Sequence, residues 1–90
     1  MNFDWNLKKA AGNLRKHGVS FDEAASMFLD PMAVSGPDPE HSMAEDRYIT
    51  FGFSSLGRLL AVSHTHRPGA IRIISARRVT RGERKLYEEG

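Results

Sequence analysis

Arg47-Tyr48-Ile49-Thr50-Phe51-Gly52-Phe53-Ser54, Ser55-Leu56-Gly57, Arg58-Leu59-Leu60-Ala61-Val62-Ser63-His64-Thr65-His66, Arg67-Pro68-Gly69 and Ala70-Ile71-Arg72-Ile73-Ile74-Ser75-Ala76-Arg77 read as three strands joined by two short turns. Turns this short connect antiparallel neighbours, so the stretch predicts a meander. Side chains alternate along a strand. Tyr48, Thr50 and Gly52 fall on one side of the first run, and Ile49, Phe51 and Phe53 on the other. The tyrosine side is the less apolar of the two.

Upstream of the meander, Phe3-Asp4-Trp5 reads as an extended lead-in, with Trp5 in the core. A first helix is expected from about Leu7 to Lys16, capped by Asp4 or Asn6. Gly18 supplies its left-handed end. Ser20 and Glu23 form a capping box for a second helix, with Val19 set to staple against Ala24. That helix carries Phe21, Ala24, Ala25 and Phe28 at helical spacing and stops at Asp30-Pro31. Met32-Ala33-Val34 is a candidate edge strand, and Ser35 to Glu45 reads as a mobile loop. Downstream, Thr80-Arg81-Gly82-Glu83 is a further capping box that opens a helix to about Glu89. The expected fold is α+β: two N-terminal helices, an antiparallel sheet of three to four strands and a C-terminal helix. The helices are expected to cover one sheet face and leave the other partly open.

Ninety residues suit a single domain over 1–90 with a modest core. There is no cysteine, which excludes disulfides, thiolate metal sites and cysteine nucleophiles. A small secreted domain usually needs such staples, so a cytoplasmic location is expected. No apolar run approaches the ~20 residues that span a bilayer, and the first residues lack the pattern of a signal peptide. The net charge is only +2, but residues 61–90 hold seven Arg and Lys against three acids. Six of the seven are arginine, whose planar fork suits phosphate. A solvated helical face and a polyanion partner both explain such a tail.

Four histidines raise the question of a metal. His64 and His66 would point the same way from a strand, but no spacing brings a third ligand to them, and no metal or other cofactor is expected. Arg72 is more informative. An arginine within Ile71-Arg72-Ile73-Ile74 must reach a polar face or a partner. A salt bridge to Glu23 or Glu45 is one outcome, and an open face where Arg72 meets phosphate is the other. Strict alternation sets Arg77 on the opposite side from Arg72 unless the strand bulges. Lys16 and His17 stand at a helix C-terminus, where the dipole favours cations whatever their function. Tyr48 is a candidate for stacking on a base.

Phe3-Asp4-Trp5, Asn13 through Ala24, Phe28-Leu29-Asp30-Pro31, Asp46-Arg47-Tyr48 and Ile71 through Arg78 occur together and in order. That set resembles the BrnT family of toxins, and the resemblance covers nearly the whole chain. It implies a RelE-like ribonuclease of a type II toxin–antitoxin system, neutralised by a BrnA-like antitoxin. Operator DNA would be reached only through the antitoxin complex, and no membrane is involved. A metal-free ribonuclease lets the RNA 2′-hydroxyl attack phosphorus, which calls for cations, a proton acceptor and a proton donor. On this reading Arg72 and Arg77 offset the charge, His64 or His17 moves protons, and Lys16 substitutes or helps. Arg47, Tyr48 and Arg78 hold RNA. The alternative is a non-catalytic module that binds nucleic acid or the antitoxin.

Overall fold

The computed structural model describes residues 1–38 and 46–89. Five strands, β1 (Phe3–Asp4), β2 (Val34–Pro37), β3 (Arg47–Phe53), β4 (Leu59–Arg67) and β5 (Ala70–Arg78), form one sheet in the order β1-β5-β4-β3-β2. β2 through β5 pair antiparallel. β1 pairs parallel with β5, so the sheet is mixed and has one strand more than the sequence reading allowed. Phe3-Asp4, expected as a mere lead-in, is that strand. The β2 edge lies at Val34–Pro37, displaced toward the C-terminus from the expected 32–34. The rest of the expected loop, to Glu45, lies outside the described residues.

Helix α1 (Leu7–His17) is capped by Asn6, whose Oδ1 accepts from the Lys9 amide at 3.0 Å. Gly18 ends it at φ 69°. Helix α2 (Phe21–Ser26) is shorter than expected and tightens into a 3-10 turn over Met27–Leu29. Ser20 caps it by accepting from the Glu23 amide at 3.0 Å. The Glu23 carboxylate leaves the capping box for Arg58, whose Nε donates at 2.9 Å, while Ser54 Oγ donates at 2.7 Å. Those hydrogen bonds, led by Arg58, hold Glu23 below the usual carboxylate range although burial opposes it. In α3 (Arg81–Glu89) the capping box forms in full: the Glu83 amide donates to Thr80 Oγ1, and the Thr80 amide to Glu83 Oε1.

Val19, Phe21, Ala24, Met27, Leu60, Val62, Ile73 and Ala76 make the core between α1, α2 and the sheet. Burying a side chain such as Phe21 stabilises by roughly 1.5–3 kcal/mol. Trp5 packs on this core, as expected, with its ring 5.9 Å from Phe21. Gly52 faces the same core, so the Tyr48 side of β3 is the one the helices cover, not the more open one. A Cβ at Gly52 would stand 2.8 Å from Met27 Sδ and 3.2 Å from Ala33 Cβ. Met27 is fully buried and has nowhere to retreat. Gly52→Ala should therefore cost about 1–3 kcal/mol by overpacking, read as a lower urea midpoint with an unchanged slope.

Helix α3 does not join the other two. Tyr87 packs against Phe53 with ring centroids 5.4 Å apart, and Glu83 pairs with Arg77. Phe53 and Arg77 project from the face opposite Gly52 and Ala76. The helices thus lie on both faces: α1 and α2 over the core, and α3 over one end of the other face.

Candidate active site

The side chains of Arg47, Arg72 and Arg77 share the sheet face that α1 and α2 leave uncovered. The register shows how. Along β4, Ala61, Ser63 and Thr65 alternate with core residues. Ala61 pairs with Arg77, Ser63 with Ser75 and Thr65 with Arg72, while His64 pairs with Ile73. Ile74 is left over as a bulge in β5. One extra residue turns an odd spacing into an even one, so two arginines five positions apart emerge on the same side. Across the sheet, Asp4, Arg72, Thr65 and Arg47 form a single row over β1, β5, β4 and β3.

Of the three arginines on β5, Arg72 and Arg77 meet carboxylates. Arg72 donates through Nη1 to Asp4 Oδ1 at 3.0 Å, with the Arg72 side chain 33 % and the Asp4 side chain 47 % exposed. The expected partners were Glu23, which holds Arg58 instead, and Glu45, which lies outside the described residues. Arg77 forms a fork with Glu83, Nη1 to Oε1 at 2.7 Å and Nη2 to Oε2 at 2.8 Å. That fork pulls the Glu83 carboxyl down to about 2. Asp38, 5 % exposed, extends onto the same face from the end of β2. Its amide donates to the Arg47 carbonyl, and its Oδ2 accepts from Ser63 Oγ at 3.4 Å. Thr65 Oγ1 is buried there with no hydrogen-bond partner among the described residues.

The other expected residues stand on the helix side. His64, expected on the strand beside Arg72's, lies on that strand, and its side chain projects into the core. It stacks on Tyr48 and His66 and meets Phe28 edge-on. Its Nε2 is 2.7 Å from Thr50 Oγ1, which is 2.7 Å from Ser35 Oγ. Tyr48 lies in the same stack rather than on the arginine face. Lys16 and His17 close α1, near Gly18, whose carbonyl accepts from Arg58. Arg78 pairs with Leu60 at the exposed end of β5, close enough to add to the field on Glu23. Among the described residues, no three His, Asp or Glu side chains gather as metal ligands.

Burial, with the charge of His66 as a smaller cause, lowers the His64 pKa from 6.5 to about 4. In the unfolded chain His64 protonates first as the pH falls, so the unfolded state binds more protons between those values. The stability of a neutral His64 is therefore whole above pH 6.5 and declines toward pH 4. Between pH 7 and pH 5 the loss should be on the order of 2 kcal/mol, visible as a falling urea midpoint. His64→Phe should flatten that decline.

A shallow hollow lined by Ser26, Leu29, Asp30, Phe53, Ser54 and Ser55 offers less chemistry. Its carboxylate, Asp30, already accepts from the Phe53 and Met32 amides and from the Tyr87 hydroxyl.

An α+β sheet whose uncovered face gathers arginines and hydroxyls, without a metal cluster among the described residues, defines a class of small proteins suited to hold a phosphodiester. The family model for the ribonuclease toxin BrnT of type II toxin–antitoxin systems matches residues 5–83, and the chain belongs to that family. The crystal structure of the Brucella abortus ribonuclease toxin BrnT superposes with a TM-score of 0.70 at 23 % identity, covering 90 % of this chain and 99 % of that one. At that identity the likeness shows the shared fold. The search of curated proteins returns no match. Membership in the family implies a protein antitoxin as partner. No helix among the described residues is long and apolar enough to cross a membrane.

Proposed function

We propose that this chain is an active, metal-independent endoribonuclease that cleaves RNA by 2′-hydroxyl attack and is neutralised by a BrnA-like antitoxin. Operator DNA is met only through the antitoxin complex. The observation that carries the reading is the row of Arg47, Thr65 and Arg72 on one face of three adjacent strands. Arg72 and Arg47 offset the charge that grows on the phosphoryl oxygens. Asp4 occupies one nitrogen of a guanidinium that has five N–H donors, and an exposed pair of this kind is weak, so phosphate can share or displace it. Arg77 joins them only when Glu83 releases it; otherwise it ties α3 to the sheet. Arg78, at one end of the sheet, and Tyr48 with His66, toward the opposite end, extend the contacts to RNA. Lys16, His17 and His64, on the other side, do not meet the same phosphate.

Two features favour the rival reading, a module that grips nucleic acid or antitoxin without cutting. Arg72 and Arg77 are both paired with carboxylates, and no described histidine shares their face. Incubating the purified chain with RNA in EDTA separates the readings. Fragments ending in 2′,3′-cyclic phosphate support the nuclease, and intact RNA with salt-sensitive binding supports the module. Expression of the chain in bacteria with and without the neighbouring open reading frame tests toxicity and its neutralisation.

A further inference from the structure

We infer that Asp4 is a positioning residue that aims the Arg72 guanidinium at the scissile phosphate, an inference that rests on the ribonuclease reading. Three consecutive residues set it in place. Phe3 and Trp5 both pack on the core, with the Phe3 ring 5.3 Å from Phe28 and the Trp5 ring 5.9 Å from Phe21. Side chains alternate along an extended chain, so the residue between them turns to the other face. That residue is Asp4. β1 is only two residues long, and its register sets Asp4 beside Arg72. The Ile71 amide donates to the Asn2 carbonyl at 2.8 Å, which fixes that register from the other side of Phe3. Two aromatic anchors and a parallel pairing thus hold a single carboxylate at the end of the row that runs on through Arg72, Thr65 and Arg47.

The contact has a direction. Asp4 Oδ1 accepts from Arg72 Nη1 at 3.0 Å, which draws that nitrogen toward β1 and away from β4 and β3. Nε and Nη2 have no hydrogen-bond partner among the described residues and are left for an anion. Arg72 and Arg47 stand two strands apart, roughly 10 Å, which leaves room for a phosphoryl group between their guanidinium groups. An arginine on an open sheet face is otherwise a long side chain with many rotamers. Holding one end of its fork before RNA arrives removes part of that freedom in advance, and preorganised donors are the ones that favour a transition state. An exposed ion pair adds little to folding, and Asp4 is about half exposed, so the pair serves orientation rather than stability. A carboxylate this close to a phosphate also opposes ground-state binding by like charge. Asp4 therefore weakens the hold on RNA while it improves the cleavage step.

The test measures kcat and KM for cleavage of a fluorescent oligoribonucleotide in EDTA. It compares the full-length parent with Asp4→Ala, Asp4→Asn, Arg72→Ala and the double variant Asp4→Ala/Arg72→Ala, and thermal melts check folding. Asp4→Ala is expected to lower kcat by about 10- to 100-fold, the scale of a misplaced group. It should also lower KM by about 2- to 5-fold, because the like charge is gone. Asp4→Asn keeps an acceptor oxygen at the same reach without the charge, so its kcat should lie between those of the parent and Asp4→Ala, with KM still low. A residue that only tied β1 to β5 would lower the melting temperature and leave the kcat of the folded protein unchanged. Because Asp4 acts through Arg72, Asp4→Ala should cost nothing further in the Arg72→Ala background. A parental kcat in Asp4→Ala, or an undiminished loss in the Arg72→Ala background, overturns the positioning role, while a slow Arg72→Ala keeps the ribonuclease reading. Should the alanine variant not fold, parental kcat and KM in Asp4→Asn overturn it equally. If the folded parent leaves RNA intact, the ribonuclease reading falls and takes the inference with it.

Discussion

Arg72→Ala should lower the rate of RNA cleavage by about 10²- to 10³-fold, the usual loss when one donor to a developing negative charge is removed. The expectation follows from where the residue stands. It faces out from the inner part of β5, across Thr65 from Arg47, and its contact with Asp4 uses only Nη1. The fold should survive. Asp4 loses a partner but is about half exposed, so water replaces the guanidinium. Melting temperature should thus stay within a few degrees while cleavage of an oligoribonucleotide in EDTA falls. A variant that cuts as fast as the parent would remove Arg72 from the site. Arg77→Ala is a less clean probe, because it also releases Glu83 and loosens α3.

Asn13→Ala is expected to destabilise the chain by on the order of 3 kcal/mol, the cost of stranding buried backbone groups. Asn13 is 8 % exposed, and its amide does the work of a missing strand. Nδ2 donates to the Ala76 carbonyl at 2.8 Å and to the Val19 carbonyl at 2.9 Å, and Oδ1 accepts from the Ala76 amide at 3.1 Å. β1 pairs only with Ile71 and Arg72, so this side chain satisfies β5 further along its outer edge. Alanine leaves those groups without a partner and exposes an edge that invites association. For a domain of this size the loss corresponds to a drop of roughly 10–20 °C in melting temperature. A drop below about 4 °C would show that water serves Ala76 as well as Asn13 does.

The meander, both turns, the caps at Ser20 and Thr80 and the left-handed Gly18 were legible because each depends on near neighbours. A capping hydroxyl needs a specific residue three positions on, and a short turn needs glycine. The Tyr48 side of β3 was misjudged for a physical reason. Thr50 and Gly52 look polar or neutral in a list, yet Gly52 faces the core because Met27 fills the space above it, and Thr50 because His64 supplies its hydrogen bond. Arg72 stands out in the sequence by its contrast with its apolar neighbours. Asp4 offers no such contrast, since it lies in a segment that reads as a lead-in with a helix cap. The Glu23 capping box was half right: Ser20 kept its part, and Arg58, 35 residues away, took the carboxylate.

By itself the sequence determined the element types, the antiparallel core of the sheet, the arginine-rich end and, through its ordered motifs, the toxin family. These rest on local backbone preference and on which residue types occur. Tertiary structure alone decided the parallel β1, the placement of α3 on the far face and the bulge at Ile74 that turns Arg72 and Arg77 to one side. It also decided that His64 is buried while Asp4 faces the arginines. Each of these depends on pairing across the chain, where one residue of register moves a side chain through the sheet to its other face.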